Sequence, residues 1–396
     1  MRRGFVTEFG DDRMLRKIAI FDHKIRPTNP IGSCHLRMLQ NLCQEYEFTV
    51  FAVEFENPCP ERIRWVRIPA LTRPQALLFV LYQVLALFYY WVYCLGRRGR
   101  YSIVQMVGSD LLFGDLAYVH FCNRFYLKYY WRQSRAQGMR GWLRWLDHSL
   151  RSLFEPLVFR RVSSIVVPSH GLARELATEY PYTRDKIHII ANPVDVRRMC
   201  PSEGFNRDVY RQRLTLCSED VVLVFVALGH FERKGLPLLL EALTKFDDHR
   251  LKLLIVGGEG DLVEAYRTRV EAMGLGSQIR FAGMQQDIRP YLWVADAFAF
   301  PSFYEAFPLV SLEAAAAALP LIITPVNGVA EFLRDGENGI LVESTPEGIA
   351  HGLKRFLALS PEARRDLGKR AQQDVEQYAP EKFVAAWRAF YSRWMG

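Results

Sequence analysis

The chain has 396 residues, 50% of them hydrophobic and 24% charged, with a formal net charge of +8. That balance excludes a disordered chain, and the length exceeds one ordinary core, so two domains are expected. Seven scattered cysteines (Cys34, Cys43, Cys59, Cys94, Cys122, Cys200, Cys217) with no Cys-x-x-Cys spacing argue against a disulfide framework or a zinc site.

In chain order, RKIAIFD (16–22) reads as a buried strand, followed by a loop HKIRPTNPIGS and a helical CHLRMLQNLCQEY. Strands follow at FTVFAVEF (48–55), IRWVRIP (63–69), YSIVQMV (101–107), GDLAYVHF (114–121), SSIVVPS (163–169) and KIHIIANPVD (186–195). Apolar strands alternating with helical segments indicate βαβ units and a parallel sheet. The polar VRRMCPSEGFNRD (196–208) is the expected linker. Beyond it the pattern restarts with DVVLVFVALG (220–229), LKLLIVGG (251–258), IRFAG (279–283), AFAFPS (297–302) and GILVE (339–343). The last helix, PEKFVAAWRAFYSRW (380–394), is basic and aromatic like the first half and is expected to cross back onto it. The fold class is therefore α/β, with doubly wound domains at 1–198 (joined by 380–396) and 205–379.

Charge is unevenly spread. Residues 1–200 carry 29 Lys and Arg against 17 Asp and Glu, and the remainder carries 22 against 26. An anionic surface or substrate is the expected partner of the first half, nucleic acid and anionic lipid both qualifying on charge alone. Two segments bear on this. ALLFVLYQVLALFYYWVYCL (76–95) is long enough to span a bilayer. It lies, however, between strands expected in one sheet, which a span would divide. A buried crossover helix is the first reading, with an interfacial helix the alternative. RFYLKYYWRQSRAQGMRGWLRWLDHSLR (124–151) interleaves cations with Tyr and Trp, which suits either a membrane interface or a helix packed on its own domain. The opening MRRGFVTEFGDDRMLRK lacks an apolar stretch, so a cytoplasmic protein, peripheral on the inner face of the membrane, is expected.

The chemistry centres on FPSFYEAFPLVSLEAAAAALPLIIT (300–324). A strand runs straight into a helix, with Pro308 expected in its first turn. The N–H groups of Phe307, Leu309 and Val310 would then face the crevice at the strand's carboxyl end, a setting suited to phosphate. Glu305 and Glu313 repel phosphate, so they should accept from hydroxyls on either side of it. Arg233 and Lys234, just after the restart strand, supply two cations for a diphosphate. Gly257, in VGGEG (256–260), allows close backbone approach.

The stretch EAFPLVSLEA (305–314) resembles the E-x7-E motif of the retaining glycosyltransferases of family 4, which have the GT-B fold. Supporting motifs run in the family's order: NPIGS (29–33), YVHF (118–121), VVPSHGLARELA (166–177), IIANPVD (189–195), LGHFERKG (228–235), IVGGEG (255–260) and PLIITPVNGVAEFLRDGENGILV (320–342). The resemblance implies two Rossmann-like domains facing across a cleft. It implies that Glu305 holds the donor sugar and Glu313 the ribose, while Arg233 and Lys234 neutralise the leaving diphosphate. Gly32 and Ser33 would face the donor phosphate, and His120 the reacting sugar. Ala306, Phe307, Leu309, Val310 and Gly257 would complete the donor site. His230 stands where an arginine is usual, a single Gly32 replaces a glycine pair, and Ala306 and Leu319 replace glycines.

The reaction implied is glycosyl transfer with retention, from a uridine diphosphate sugar to a glycan or lipid-linked acceptor of lipopolysaccharide type. No metal or other cofactor and no nucleic acid partner are expected; an anionic membrane surface is. The rival readings are a nucleotide-sugar epimerase of the same architecture and a non-catalytic membrane- or nucleic-acid-binding protein on this fold.

Overall fold

The computed structural model describes residues 16–70, 75–95, 101–136 and 138–395. Strands β1 (Arg16–Phe21), β2 (Lys24–Ile25), β3 (Tyr46–Ala52), β4 (Glu54–Phe55), β5 (Arg64–Arg67), β6 (Ile103–Val107), β7 (Leu116–Tyr118), β8 (Ser164–Val167) and β9 (Ile187–Ile189) belong to the first lobe. Seven of them form one sheet in the order β5-β3-β1-β6-β7-β8-β9, every pairing parallel. β2 and β4 pair separately. The second lobe holds β10 (Val221–Val226), β11 (Leu251–Val256), β12 (Ile279–Gly283), β13 (Ala297–Phe300), β14 (Leu321–Ile323) and β15 (Ile340–Leu341). They run parallel in the order β12-β11-β10-β13-β14-β15. Central strands such as VVLVFV are apolar throughout because helices cover both faces of a parallel sheet. Strand order reverses between β1 and β6 in one lobe and between β10 and β13 in the other. The crevice beyond the carboxyl ends at such a reversal is where open α/β sheets bind ligands.

The chain leaves the first lobe earlier than the expected linker. Ile190 is buried in the first core and Val194 in the second, and Met199 also lies in the second. Residues 196–208 are thus part of the second lobe. Asp195 and Asn206 cap the short helices Val196–Met199 and Arg207–Arg213, and buried Arg211 pairs with Asp296 at 2.7 Å. The return crossing falls between Tyr378, packed on the second core, and Phe383, buried in the first. The Val194 amide donates to the Tyr378 carbonyl at 2.9 Å, tying the two crossings together.

The helix Pro380–Met395 does cross back. Trp387 and Tyr391 are fully buried in the first core, and the Tyr391 hydroxyl donates to Gln105 Oε1 at 2.6 Å. The helix Gln75–Leu95 departs from the buried-crossover expectation. Phe79, Tyr82 and Ala86 are buried, while Val84, Leu87, Phe88 and Trp91 stand exposed. With apolar residues all round, composition could not tell one face from the other. The 124–151 stretch falls into Asn123–Tyr129, Trp131–Ser134 and the start of Gly138–Arg161. Tyr126 is buried between Phe121 and His148 of its own lobe and Tyr304 of the second, while Trp142 and Trp145 are exposed.

Candidate active site

Arg233 and Lys234 follow β10, and Glu305 follows β13, so the order reversal of the second sheet brings them together. The turn between Lys234 and the helix Leu236–Leu243 needs Gly235 in the left-handed region at φ 78°, since a Cβ would lie 1.9 Å from the Pro301 carbonyl. Glu305 is buried. Its Oε1 accepts from Lys234 Nζ, from Ser302 Oγ at 2.9 Å and from Arg233 Nη1 at 3.4 Å. Burial pushes the Glu305 carboxyl up, but Lys234 and Arg233 outweigh it and hold it below the ordinary value. Burial also pulls Lys234 down to about 8, against the opposing pull of Glu305. Arg233 Nη1 further donates to the Tyr304 carbonyl at 2.7 Å.

The first lobe closes on this cluster. The Arg233 guanidinium lies 5.7 Å from the centroid of the Phe121 ring, next in chain to His120. The Tyr304 hydroxyl donates to Glu175 Oε2 at 2.7 Å, and the Cys122 amide donates to that hydroxyl at 3.3 Å. Asn327 Nδ2 donates to the other Glu175 oxygen at 2.5 Å. Ser169 Oγ donates to the Ala306 carbonyl at 2.7 Å and Asn192 Nδ2 to the Phe307 carbonyl at 2.9 Å. The loop carrying Glu305 is therefore pinned by both lobes. Ser169, Glu175 and Asn192 lie within motifs quoted from the sequence but carried no role there. Arg144, on the helix Gly138–Arg161, also reaches across to Glu232 at 3.4 Å.

His120 ends β7's run toward the cleft, edge-on to Tyr118 at 4.3 Å. Its Nε2 is buried with no hydrogen-bond partner among the described residues. Burial, with His35 nearby, lowers its pKa to about 3, so the imidazole is neutral. An unsatisfied buried acceptor or donor at the carboxyl edge is costly unless something else fills it.

Several expected positions are placed differently. Gly32 and Ser33 do not form a loop; they occupy the first turn of the helix Pro30–Leu42. The Gly32 amide is used by Asn29 Oδ1 at 2.8 Å and the Ser33 amide by the Asn29 carbonyl at 2.7 Å. Glycine is needed at 32 because a Cβ would lie 2.7 Å from the Lys24 carbonyl. Gly257, at φ 101°, gives its amide to Gly283 at 2.7 Å and passes too close to the Ala227 carbonyl for any Cβ.

Pro308 is the N-cap rather than a first-turn residue, and the helix runs Leu309–Ala316. Phe307 is buried against Tyr378, while Leu309 and Val310 are half-buried. Among the described residues, Glu313 shares no partner with Glu305. Burial raises it to about 7, with Arg198 and Asp287 the charged neighbours, and it adds to the upward push on Cys34 across the cleft. The left-handed position after this helix is Ala318 at φ 58°, and Leu319 simply packs in the core.

Residues 35–198 match the model for Glycosyltransferase Family 4, and residues 206–374 the model for Glycosyl transferases group 1. The chain belongs to the GT-B glycosyltransferases of family 4. Among curated relatives, it is 32% identical to a lipopolysaccharide core biosynthesis glycosyltransferase, LpsE, of Rhizobium meliloti, over 58% of this chain and 64% of that one. It is 27% identical to a D-inositol 3-phosphate glycosyltransferase of Jonesia denitrificans, over 61% and 60%. These alignments span less than two thirds of the curated relatives. The fold matches WaaG, a glycosyltransferase involved in lipopolysaccharide biosynthesis (TM-score 0.74, 18% identity, 93% and 98% covered). It also matches Anabaena HepE in complex with UDP and glucose (0.69, 16%, 96% and 100%).

Proposed function

We propose that this protein is a glycosyltransferase that moves a sugar from a nucleotide-diphosphate sugar to a hydroxyl of a glycan or lipid-linked acceptor. The observation that carries the reading is the buried Glu305 carboxylate held by Lys234, Arg233 and Ser302 at the order reversal of the second sheet. Two cations preorganised there stabilise the negative charge that develops on a departing diphosphate. No metal is then required for that charge. The carboxylate beside them accepts from sugar hydroxyls, and Glu313 from the ribose. The names of the LpsE and WaaG relatives favour a lipopolysaccharide-type acceptor, and the HepE complex favours a uridine nucleotide.

Glu305 is already committed to its cations, which leaves it poorly placed as a covalent nucleophile. We assign front-face displacement instead. The bond from the anomeric carbon to phosphate oxygen breaks as the acceptor oxygen bonds the same face, and the acceptor proton passes to the departing diphosphate. That gives retention. His120, neutral and with its Nε2 unpartnered among the described residues, would line the acceptor side of the reacting sugar.

The test is incubation with a panel of nucleotide sugars, first without acceptor and then with lipid-linked glycans, reading free nucleoside diphosphate and product anomer by NMR. Slow hydrolysis of one donor, accelerated by acceptor and unaffected by chelator, is expected, with the donor's anomeric configuration kept. Interconversion of donor sugars would identify an epimerase instead, and no turnover of any donor would leave a binding protein.

A further inference from the structure

The strands β1, β6 and β7 lie side by side in the first sheet, and each is followed by a polar side chain at its carboxyl end. His120, after β7, enters the reaction above; His23, after β1, and Asp110, after β6, have no role there. The His23 backbone is fixed, because the Val53 and Glu54 amides donate to its carbonyl at 3.1 and 3.2 Å. Its Nδ1 lies 3.3 Å from Asp110 Oδ2. Its Nε2 is buried with no hydrogen-bond partner among the described residues. Tyr82 meets the ring edge-on at 4.2 Å, but its hydroxyl is committed to the Phe51 carbonyl at 2.7 Å.

Two chains of side chains hold this arrangement from behind. Arg151, on the helix Gly138–Arg161, donates through Nη1 to Asp110 Oδ1 at 2.5 Å and through Nε to Asp147 Oδ1 at 3.1 Å. Next to His23, Asp22 Oδ2 pairs with His35 Nδ1 at 2.9 Å. His35 Nε2 lies 3.1 Å from Gln105 Nε2, and Gln105 Oε1 receives the Tyr391 hydroxyl. The His35 ring is 5.3 Å from that of Tyr118, which His120 meets at 4.3 Å, so the two histidine sites adjoin.

The Asp110 carboxyl draws the ring proton to Nδ1, which leaves Nε2 a bare acceptor. Burial lowers the His23 pKa, with Asp110 opposing and Arg151 adding to the fall, so the ring is neutral. A buried acceptor without a donor is costly unless a ligand supplies one. A neutral lone pair takes an O–H and offers nothing to a phosphate oxygen. Charge points the same way. Asp110, Asp22 and Asp147 act on His23 against the single Arg151. The next cations on the loop, Lys24 and Arg26, face Glu54 at 3.4 and 3.1 Å. The ends of β1 and β7 are two strand spacings apart, about 9–10 Å, a width that one sugar ring bridges with a hydrogen bond at each edge.

We propose that His23 Nε2 accepts a hydrogen bond from a hydroxyl of the acceptor's terminal sugar, in the tautomer set by Asp110, and that the surrounding carboxyl groups select a ring without phosphate. This assignment rests on the transfer reading. The ring lies over β6 with its reacting hydroxyl toward His120. His23 orients it and takes no proton, which goes to the departing diphosphate.

The test is NMR of the full chain carrying isotope-labelled histidine, with UDP present and a panel of neutral methyl hexosides added, then the corresponding hexose phosphates. The His23 signals, identified by their loss in His23→Gln, should show the proton on Nδ1. Nε2 should shift on adding at least one neutral glycoside, and the matching phosphate should bind about tenfold or more weakly. In Asp110→Asn the oxygen stays with Arg151 and the amide turns to His23, so the ring proton should move to Nε2. Glycoside affinity should then fall about tenfold to a hundredfold. In transfer assays His23→Ala should raise the acceptor KM by a similar factor with nucleoside diphosphate affinity kept. His23→Gln, whose amide oxygen can replace Nε2, should recover part of the loss. A wild-type ring protonated on Nε2, or a panel that never moves the His23 signals, would overturn the proposal. So would equal affinity for hexoside and hexose phosphate, or an unchanged acceptor KM in His23→Ala. Glycoside binding at His23 without transfer would uphold the site and fault the transfer reading alone.

Discussion

Lys234 and Glu305 form an ion pair within the cleft, its carboxylate oxygen also reached by Ser302 and Arg233. A donor diphosphate must compete with Glu305 for that ammonium. Burial first, and Arg233 beside it, bring Lys234 down to about 8. The proton is then lost well below the ordinary lysine range. The donor kcat/KM should therefore show an alkaline limb near pH 8, absent in Lys234→Arg. A wild-type profile that stays level up to the ordinary lysine range contradicts the assignment.

Glu175, which receives Tyr304 and Asn327 from the other lobe, is raised to about 7 by burial, the two hydrogen bonds opposing. Its folded value lies above its unfolded one. The stabilising contribution is thus fully present below the unfolded value and is lost as pH rises through about 7. Glu175→Gln keeps an acceptor for Tyr304, with Asn327 turning its amide. The variant should melt as the wild type does in acid and be more stable by about 2–3 kcal/mol above pH 7. Calorimetric melting across pH reads this directly, and parallel curves for both proteins would refute it.

Ala318 holds φ at 58°, a conformation that a Cβ disfavours by about 1–2 kcal/mol. Glycine removes that strain and loses part of the gain to a freer unfolded chain. Ala318→Gly should stabilise by about 0.5–1 kcal/mol in denaturant titration. A loss of stability would mean the turn is not strained.

The meeting of Arg233, Lys234 and Glu305 was legible because these groups sit at strand ends in contiguous motifs. Arg233, Lys234 and Glu305 needed only parallel pairing of β10 with β13 to meet. The Gly32 region was misread although the signal was present, since Asn29 before Pro30 is an N-cap and first-turn signature. The lobe boundary was not legible, because whether Val194 or Met199 enters one core or the other is settled by tertiary packing. Nor was the Tyr304–Glu175 contact, which joins residues 129 apart without any periodicity.

His120→Ala removes a neutral imidazole whose Nε2 has no partner among the described residues. Turnover should fall by about 10²-fold or more, with nucleoside diphosphate affinity near normal in calorimetry. Full turnover would return His120 to a packing role against Tyr118.

The central claim is that the cations after β10 act on the leaving group, and a pair of variants tests it most directly. The diphosphate gains charge as the glycosidic bond breaks, so Lys234 matters more in the transition state than in the bound donor. Removing a preorganised group of this type costs about 10²–10³ in rate. The ribose contacts proposed for Glu313 would form equally in both states and so affect mainly the apparent donor constant. Steady-state kinetics of Lys234→Ala should show kcat down by about 10²–10³ with a smaller change in KM, and Glu313→Ala a raised KM with kcat nearly kept. If Lys234→Ala only weakened donor binding while Glu313→Ala only slowed turnover, the donor would be inverted and the assignment contradicted.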